Sequence, residues 1–156
     1  MKIESERLCL YPISNSTMEQ LIREEKDPGM KQAYREMLDG CLAHPDTRIW
    51  NAVWLMQLKD APSEIVGDFA FKGLNADGMV EIGYGLRDGF CGKGYMTEAV
   101  RTITRWALKQ EGVTRIEAET DPDNMASANV LLHAGYRKTG TMGAEGPRYV
   151  FDGTDQ

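Results

Sequence analysis

The stretch that most constrains this chain runs from Glu81 to Val100, where an alternating segment enters the glycines Gly89, Gly92 and Gly94 and a helical pattern starts at once. Glycines let the backbone take positive φ and let another molecule come close to the main chain. The first turn of a helix leaves several N–H groups without intrahelical partners, and the aligned peptide dipoles add partial positive charge there. The pattern predicts a strand–turn–helix unit with an anion site suited to a phosphate or pyrophosphate. Local charge agrees. From Gly85 to Arg105 the cations Arg87, Lys93, Arg101 and Arg105 outnumber the acids Asp88 and Glu98, on a chain of net charge −6.

Common phosphate loops fail on spacing. A Walker A loop places Lys and then Ser or Thr after its last glycine, whereas Gly94 is followed by Tyr95 and Met96. A dinucleotide fingerprint would want glycine where Thr97 stands. A tight turn whose glycines serve packing alone is the bland alternative. The preceding strand adds a second clue, because Gly83 and Gly85 interrupt it. Interior glycines mark a bulge or a close approach by another chain. A bulge would splay this strand from the strand expected at Thr114–Thr120 and open a gap for an extended ligand arm. Pyrophosphate on the helix and an amide-bearing arm along the strand describe coenzyme A.

The rest of the chain supplies the setting. A length of 156 residues fits one domain, 1–156. Strands are expected at Arg7–Ile13, Ile49–Leu58, Glu64–Lys72 and Met79–Arg87, with Asn75–Gly78 as a hairpin turn; the last three form an antiparallel meander. Helices are expected at Ser14–Lys26, capped by Ser16 or Thr17, from Met30 to Cys41 after a turn at Asp27-Pro28-Gly29, at Tyr95–Gln110 and at Asn124–Ala134. Trp50, Ala52, Trp54, Met56 and Leu58 are expected on one strand face, and Tyr136–Thr139 and Arg148–Phe151 close the sheet. The order β-α-α-β-β-β-α-β-α-β-β gives an α/β three-layer mixed β-sheet with helices on both faces and a splayed central strand pair. The acidic balance argues against a nucleic-acid partner, and no apolar run is long enough for a membrane span. Three cysteines without CxxC spacing suit a cytoplasmic protein, and two distant histidines argue against a metal site.

Gly92-Lys-Gly-Tyr-Met-Thr-Glu-Ala-Val100 resembles the acetyl-CoA signature of the GNAT superfamily of N-acetyltransferases. Asn124-Met-Ala-Ser127, continuing to Ala134-Gly-Tyr136, is similar to that family's second signature. Ser5 to Pro12, Ile65-Val-Gly67 and Glu81-Ile-Gly-Tyr84 resemble the branch of the ribosomal-protein N-terminal acetyltransferases. The resemblance implies direct transfer of acetyl from acetyl-CoA to a primary amine, a protein N-terminus or a small molecule, in a ternary complex. It places the oxyanion donor near Leu86 and the pyrophosphate on the amides of Cys91, Gly92, Lys93, Gly94, Tyr95 and Met96, with Arg87 and Thr97 as further cofactor contacts. The sequence leaves both a monomer and a homodimer open. Two departures stand out: Gly89 replaces a polar residue of the turn pattern, and Leu131 stands where many relatives carry a tyrosine acid. They keep open a CoA-binding domain that has lost its chemistry.

Glu117 and Glu119 lie two apart on a strand and so share a face, with Glu81 a third carboxylate near the bulge. Any of the three is a candidate base, often through a water, with a solvated strand end or an Arg115 salt bridge as the alternative. Ser127, one turn from Asn124, is assigned a hydrogen bond to the thiol; Asn124 is a cap or ligand contact and Asn129 a further one. Tyr136 and the tryptophans read as packing, and Cys91, beside no histidine, is not taken as a nucleophile.

Overall fold

The computed structural model describes residues 1–151. Strand β1 (Ile3–Glu4) pairs with β2 (Leu8–Pro12), followed by helices α1 (Asn15–Glu24) and α2 (Pro28–Ala43) and a short 3-10 segment, Pro45–Trp50. Strands β3 (Val53–Leu58), β4 (Ile65–Leu74) and β5 (Met79–Leu86) form the meander. Helix α3 (Tyr95–Leu108), strand β6 (Arg115–Glu119), helix α4 (Met125–His133) and strands β7 (Arg137–Met142) and β8 (Pro147–Phe151) complete the chain. The sheet order is β1-β2-β3-β4-β5-β6-β8-β7; β5 and β6 are parallel and the other neighbours antiparallel. Among the described residues no helix is long and apolar enough to cross a membrane.

Alternation along the strands feeds two cores, one on each face. Trp54 and Met56 of β3, Phe69 and Phe71 of β4, and Ile116 and Ala118 of β6 meet Met96, Val100 and Ile103 of α3 and Leu131 of α4. Val53 and Leu55 point the other way and meet Met18 and Ile22 of α1 and Leu38 and Cys41 of α2. Trp54 is fully buried, with ring centroids 5.1 Å from Phe69, 5.8 Å from Phe71 and 5.5 Å from Trp106.

The structure corrects the sequence reading where local rules compete. Ile49 and Trp50 belong to the 3-10 segment, and Ala52 packs toward α2 instead of joining the Trp54 face. Pro45 opens that segment, so β3 starts only at Val53. Ser14, not Ser16 or Thr17, caps α1 through the amide of Thr17 at 3.2 Å. Asp27-Pro28-Gly29 is the start of α2: Asp27 caps the Met30 amide at 2.8 Å, and Pro28 takes a first-turn place where its missing N–H costs nothing. Tyr136 precedes β7, which runs further than expected, to Met142.

Replacing Trp54 by Ala should cost about 3–5 kcal/mol, the usual loss for a buried aromatic. Urea denaturation should show this as a lower midpoint with an unchanged slope.

Candidate active site

The central parallel pair comes apart. Its register runs Met79↔Arg115, Val80↔Ile116, Glu81↔Glu117 and Ile82↔Ala118, and stops there, while β5 continues to Leu86 along β4. The expected bulge at Gly83 and Gly85 is not the cause, since their pairing with Ala70 and Asp68 is regular. The register shift lies in β4 between Phe71 and Leu74, where Gly73 has φ +85°. The Arg87 amide bonds the Val66 carbonyl at 2.7 Å. Successive residues of a strand turn their main-chain groups to opposite edges, so Tyr84 and Leu86 face the gap left by β6. Leu86 is thus brought to the gap as the sequence reading expects, whereas the Arg87 amide is spent on β4.

At the end of β5 the chain turns through Gly89, Gly92 and Gly94, with φ of +92°, +78° and +78°. A left-handed backbone of this kind explains glycine there, since a side chain would cost about 1–2 kcal/mol. Gly94 caps α3 without a side-chain bond, and the first amide to find a helical acceptor is that of Glu98, on the Gly94 carbonyl at 3.1 Å. Among the described residues no protein acceptor engages the amides of Cys91 through Thr97. Successive unpaired N–H groups at a helix start form an anion-binding concavity. Cys91 is exposed there.

A polar latch holds this turn. Glu98 accepts bonds from the Ser5 hydroxyl (2.6 Å), the Arg7 amide (2.8 Å) and Arg7 Nε (2.7 Å). Arg7 also donates to the Lys93 carbonyl at 2.9 Å, and its guanidinium lies 4.4 Å from the centre of the Tyr95 ring. Burial pushes the Glu98 carboxyl up, but the bonds from Ser5 and Arg7 outweigh it and hold the group below the usual range. The turn is therefore fixed by the β1–β2 connection, which the glycine pattern did not reveal. A depression of about 790 Å³ continues from Gly94 along α3 past Arg101, Arg105 and Lys109.

Glu81, Glu117 and Glu119 are brought together, but around a cation. Arg148 of β8 reaches Glu81 at 3.1 Å, Glu117 at 2.8 Å and Glu119 at 2.6 Å. Lys72 adds a contact to Glu81 at 3.2 Å and Arg115 one to Glu117 at 2.8 Å. Burial raises the Glu117 carboxyl, yet bonds from Arg115 and Arg148 win and lower it. The Glu145 amide, then Arg148, lower Glu119. Groups held this way are weak proton acceptors at neutral pH. The Arg115 bridge was among the sequence alternatives; Arg148, the one cation of β8, was missed.

Across the gap, Asn124 caps α4 through the Ser127 amide at 3.0 Å. The Ser127 hydroxyl lies 3.1 Å from the Tyr84 hydroxyl, which the sequence reading also passed over although it stands between two glycines. Burial pushes the Tyr84 phenol up, against the Ser127 bond, so it keeps its proton. Asn129 is exposed and about 200° round the helix from Ser127, so the two do not converge. Leu131 is buried in the core, and Tyr136 is tied to Thr104 at 2.6 Å, as packing.

The model of the acetyltransferase (GNAT) domain matches residues 7–137. A curated relative, the uncharacterized N-acetyltransferase YjdG of Bacillus subtilis, is 38% identical over 84 residues, 53% of this chain. The match spans only 49% of that relative's length. In architecture the chain is similar to a ribosomal-protein-S5-alanine acetyltransferase from Vibrio fischeri, with TM-score 0.75 and 19% identity over 99% of this chain and 98% of that one. It is also similar to RimL, a ribosomal alpha-N-protein acetyltransferase solved in complex with coenzyme A, with TM-score 0.74 and 17% identity over 97% and 98% of the two chains.

The lowered carboxyls of Glu117 and Glu119 fix a sign for pH. Their contribution to stability is present above the ordinary glutamate range and is lost as pH falls through their depressed values. Arg148→Gln should be less stable than the wild type at pH 7, and the gap should close under acid. Urea midpoints measured from pH 7 down to pH 3 check this.

Proposed function

The chain belongs to the acetyltransferase (GNAT) domain family, and from that premise we propose that it transfers acetyl from acetyl-CoA to a primary amine by direct attack in a ternary complex. The observation that carries the reading is the run of unengaged amides from Cys91 to Thr97, opening α3 beside a parallel strand pair that parts after Ile82 and Ala118. The fit to the carrier is favourable. A Cβ at Gly89 or Gly92 would meet nothing within 4 Å, so the concavity is open to a ligand and not filled by packing.

Acetyl-CoA supplies an acyl group activated as a thioester. The amides of Cys91, Gly92, Lys93, Gly94, Tyr95, Met96 and Thr97 bind its pyrophosphate, and Arg101, Arg105 and Lys109 offer positive charge beyond them. The free edge at Tyr84 and Leu86 pairs with the amide-bearing arm, and the Leu86 N–H stabilises charge on the carbonyl oxygen. The Tyr84 and Ser127 hydroxyls, in contact with each other, donate to the leaving sulfur in place of the acid that Leu131 cannot supply. Arg148, with Lys72 and Arg115, balances the charge of Glu81, Glu117 and Glu119, so their proposed work is to bind β5, β6 and β8 together at the base of the gap.

One observation favours a second reading, a CoA-binding domain without catalysis: Leu131 is wholly buried where many relatives carry the acid. Release of free thiol from acetyl-CoA across a panel of primary amines separates the two. Amine-dependent thiol release supports the enzyme; tight binding without release supports the second reading.

Two variants probe the site. Gly94→Val should weaken acetyl-CoA at least tenfold in a calorimetric titration while thermal unfolding stays cooperative. Tyr84→Phe should lower kcat by about 10²-fold, the scale of a proton-donating group, and leave acetyl-CoA affinity near that of the wild type.

A further inference from the structure

On the α2 side of the sheet, opposite α3, lies a second cavity of about 290 Å³ whose walls include Met30, Tyr34 and Met37 of α2 and Asp68 of β4. Its floor is the main chain of Gly83 and Gly85. These glycines are not there because the protein crowds them. A Cβ at Gly85 would come no closer than 3.9 Å, to Asp68 Oδ1, and one at Gly83 no closer than 3.3 Å, to the flexible Lys72 side chain. Gly67 contrasts with them, since a Cβ there would fall on the Gly85 carbonyl. The two bare residues of β5 thus form a window. One edge of this stretch faces the parted strands, and the face above it opens into the cavity.

Asp68 stands over that window. It pairs with Gly85 on one side and with Leu55 on the other, inside the strand Ile65-Val-Gly-Asp-Phe-Ala-Phe71. Among the described residues no hydrogen bond or ion pair engages its carboxylate. Burial raises its affinity for a proton, against the pull of Arg87. The other groups facing it are the Tyr34 phenol, itself raised by burial and by Asp68, and, further along β4, Lys72, which is committed to Glu81. A half-buried carboxylate with no hydrogen bond or ion pair of its own, walled by methionine and aromatic carbon, is the complement of one ammonium on an apolar stem. The cavity holds one carboxylate and Arg87 lies nearby, so a second cation on the same ligand gains nothing.

Resting on the acetyl-transfer reading above, we propose that this cavity is the acceptor subsite. In it Asp68 holds the ammonium of a singly charged primary amine bearing a short apolar arm and takes one of its protons. Of the three ammonium protons, one passes to the Asp68 carboxylate, one ends on the leaving sulfur and one stays on the product amide. The nitrogen lone pair forms the C–N bond as the C–S bond breaks.

Pentylamine and cadaverine are matched probes, since they share the same arm and differ by the second ammonium. Asp68→Asn is isosteric and removes no hydrogen bond seen in the fold. The expected result has three parts. The wild type prefers pentylamine to cadaverine. Asp68→Asn loses at least 100-fold in kcat/KM for pentylamine and loses the acid limb of its pH profile, a limb centred above the ordinary aspartate range in the wild type. Acetyl-CoA affinity by calorimetry is unchanged. A variant that keeps its rate and its acid limb overturns the role of Asp68, and a preference for cadaverine, or no transfer to either amine, overturns the acceptor class. Both leave the acetyl-CoA reading standing if the wild type binds that ligand. Failure of the wild type to bind acetyl-CoA overturns the underlying reading, and this proposal with it.

Discussion

Main-chain groups without a protein partner organise this molecule. A buried N–H or C=O needs a hydrogen bond, and sheets and helices normally provide it from within. Here the sheet withholds it at Tyr84 and Leu86 once β6 leaves β5, and α3 withholds it from Cys91 to Thr97. The two deficits adjoin because one short glycine turn links them. A ligand with a polar, extended arm and an anionic group satisfies both, and neither deficit depends on the identity of a side chain.

Holding such a gap open requires support on both sides, and the structure provides it with charge. The Ser5–Arg7–Glu98 latch ties the start of α3 to the first strands. Arg148 gathers Glu81, Glu117 and Glu119 across three strands at the base of the divergence. Each acid of that cluster alone would be costly on a half-covered face, and Arg148, Lys72 and Arg115 together balance the three charges. Asp68, over the glycine window, is outside these clusters: no hydrogen bond or ion pair among the described residues engages its carboxylate, and Arg87 acts on it only from nearby.

The central frame was legible in the sequence because local rules and tertiary structure agree there. The glycine turn, the helix after it and the strand beyond it follow from periodicity and spacing, and the resemblance to the GNAT superfamily rests on the same residues. Legibility failed where a residue's role depends on distant partners. Glu117 and Glu119 were read onto one face, but the cation that occupies them comes from a strand 29 residues or more further on. Asp68 sits among apolar neighbours in β4 with no local signal to single it out, and only the pairing with Gly85 gives it a place. The splay was expected from a bulge in β5, whereas the irregularity lies in β4, because one extra residue can be absorbed by either partner of an antiparallel pair.

Hydrogen exchange of the protein with and without saturating acetyl-CoA tests the central claim most directly. The account predicts added protection concentrated at Tyr84, Leu86 and the amides from Cys91 to Thr97, with little change in the strands beyond. Protection elsewhere, with those amides exchanging as fast as in the free protein, would contradict it.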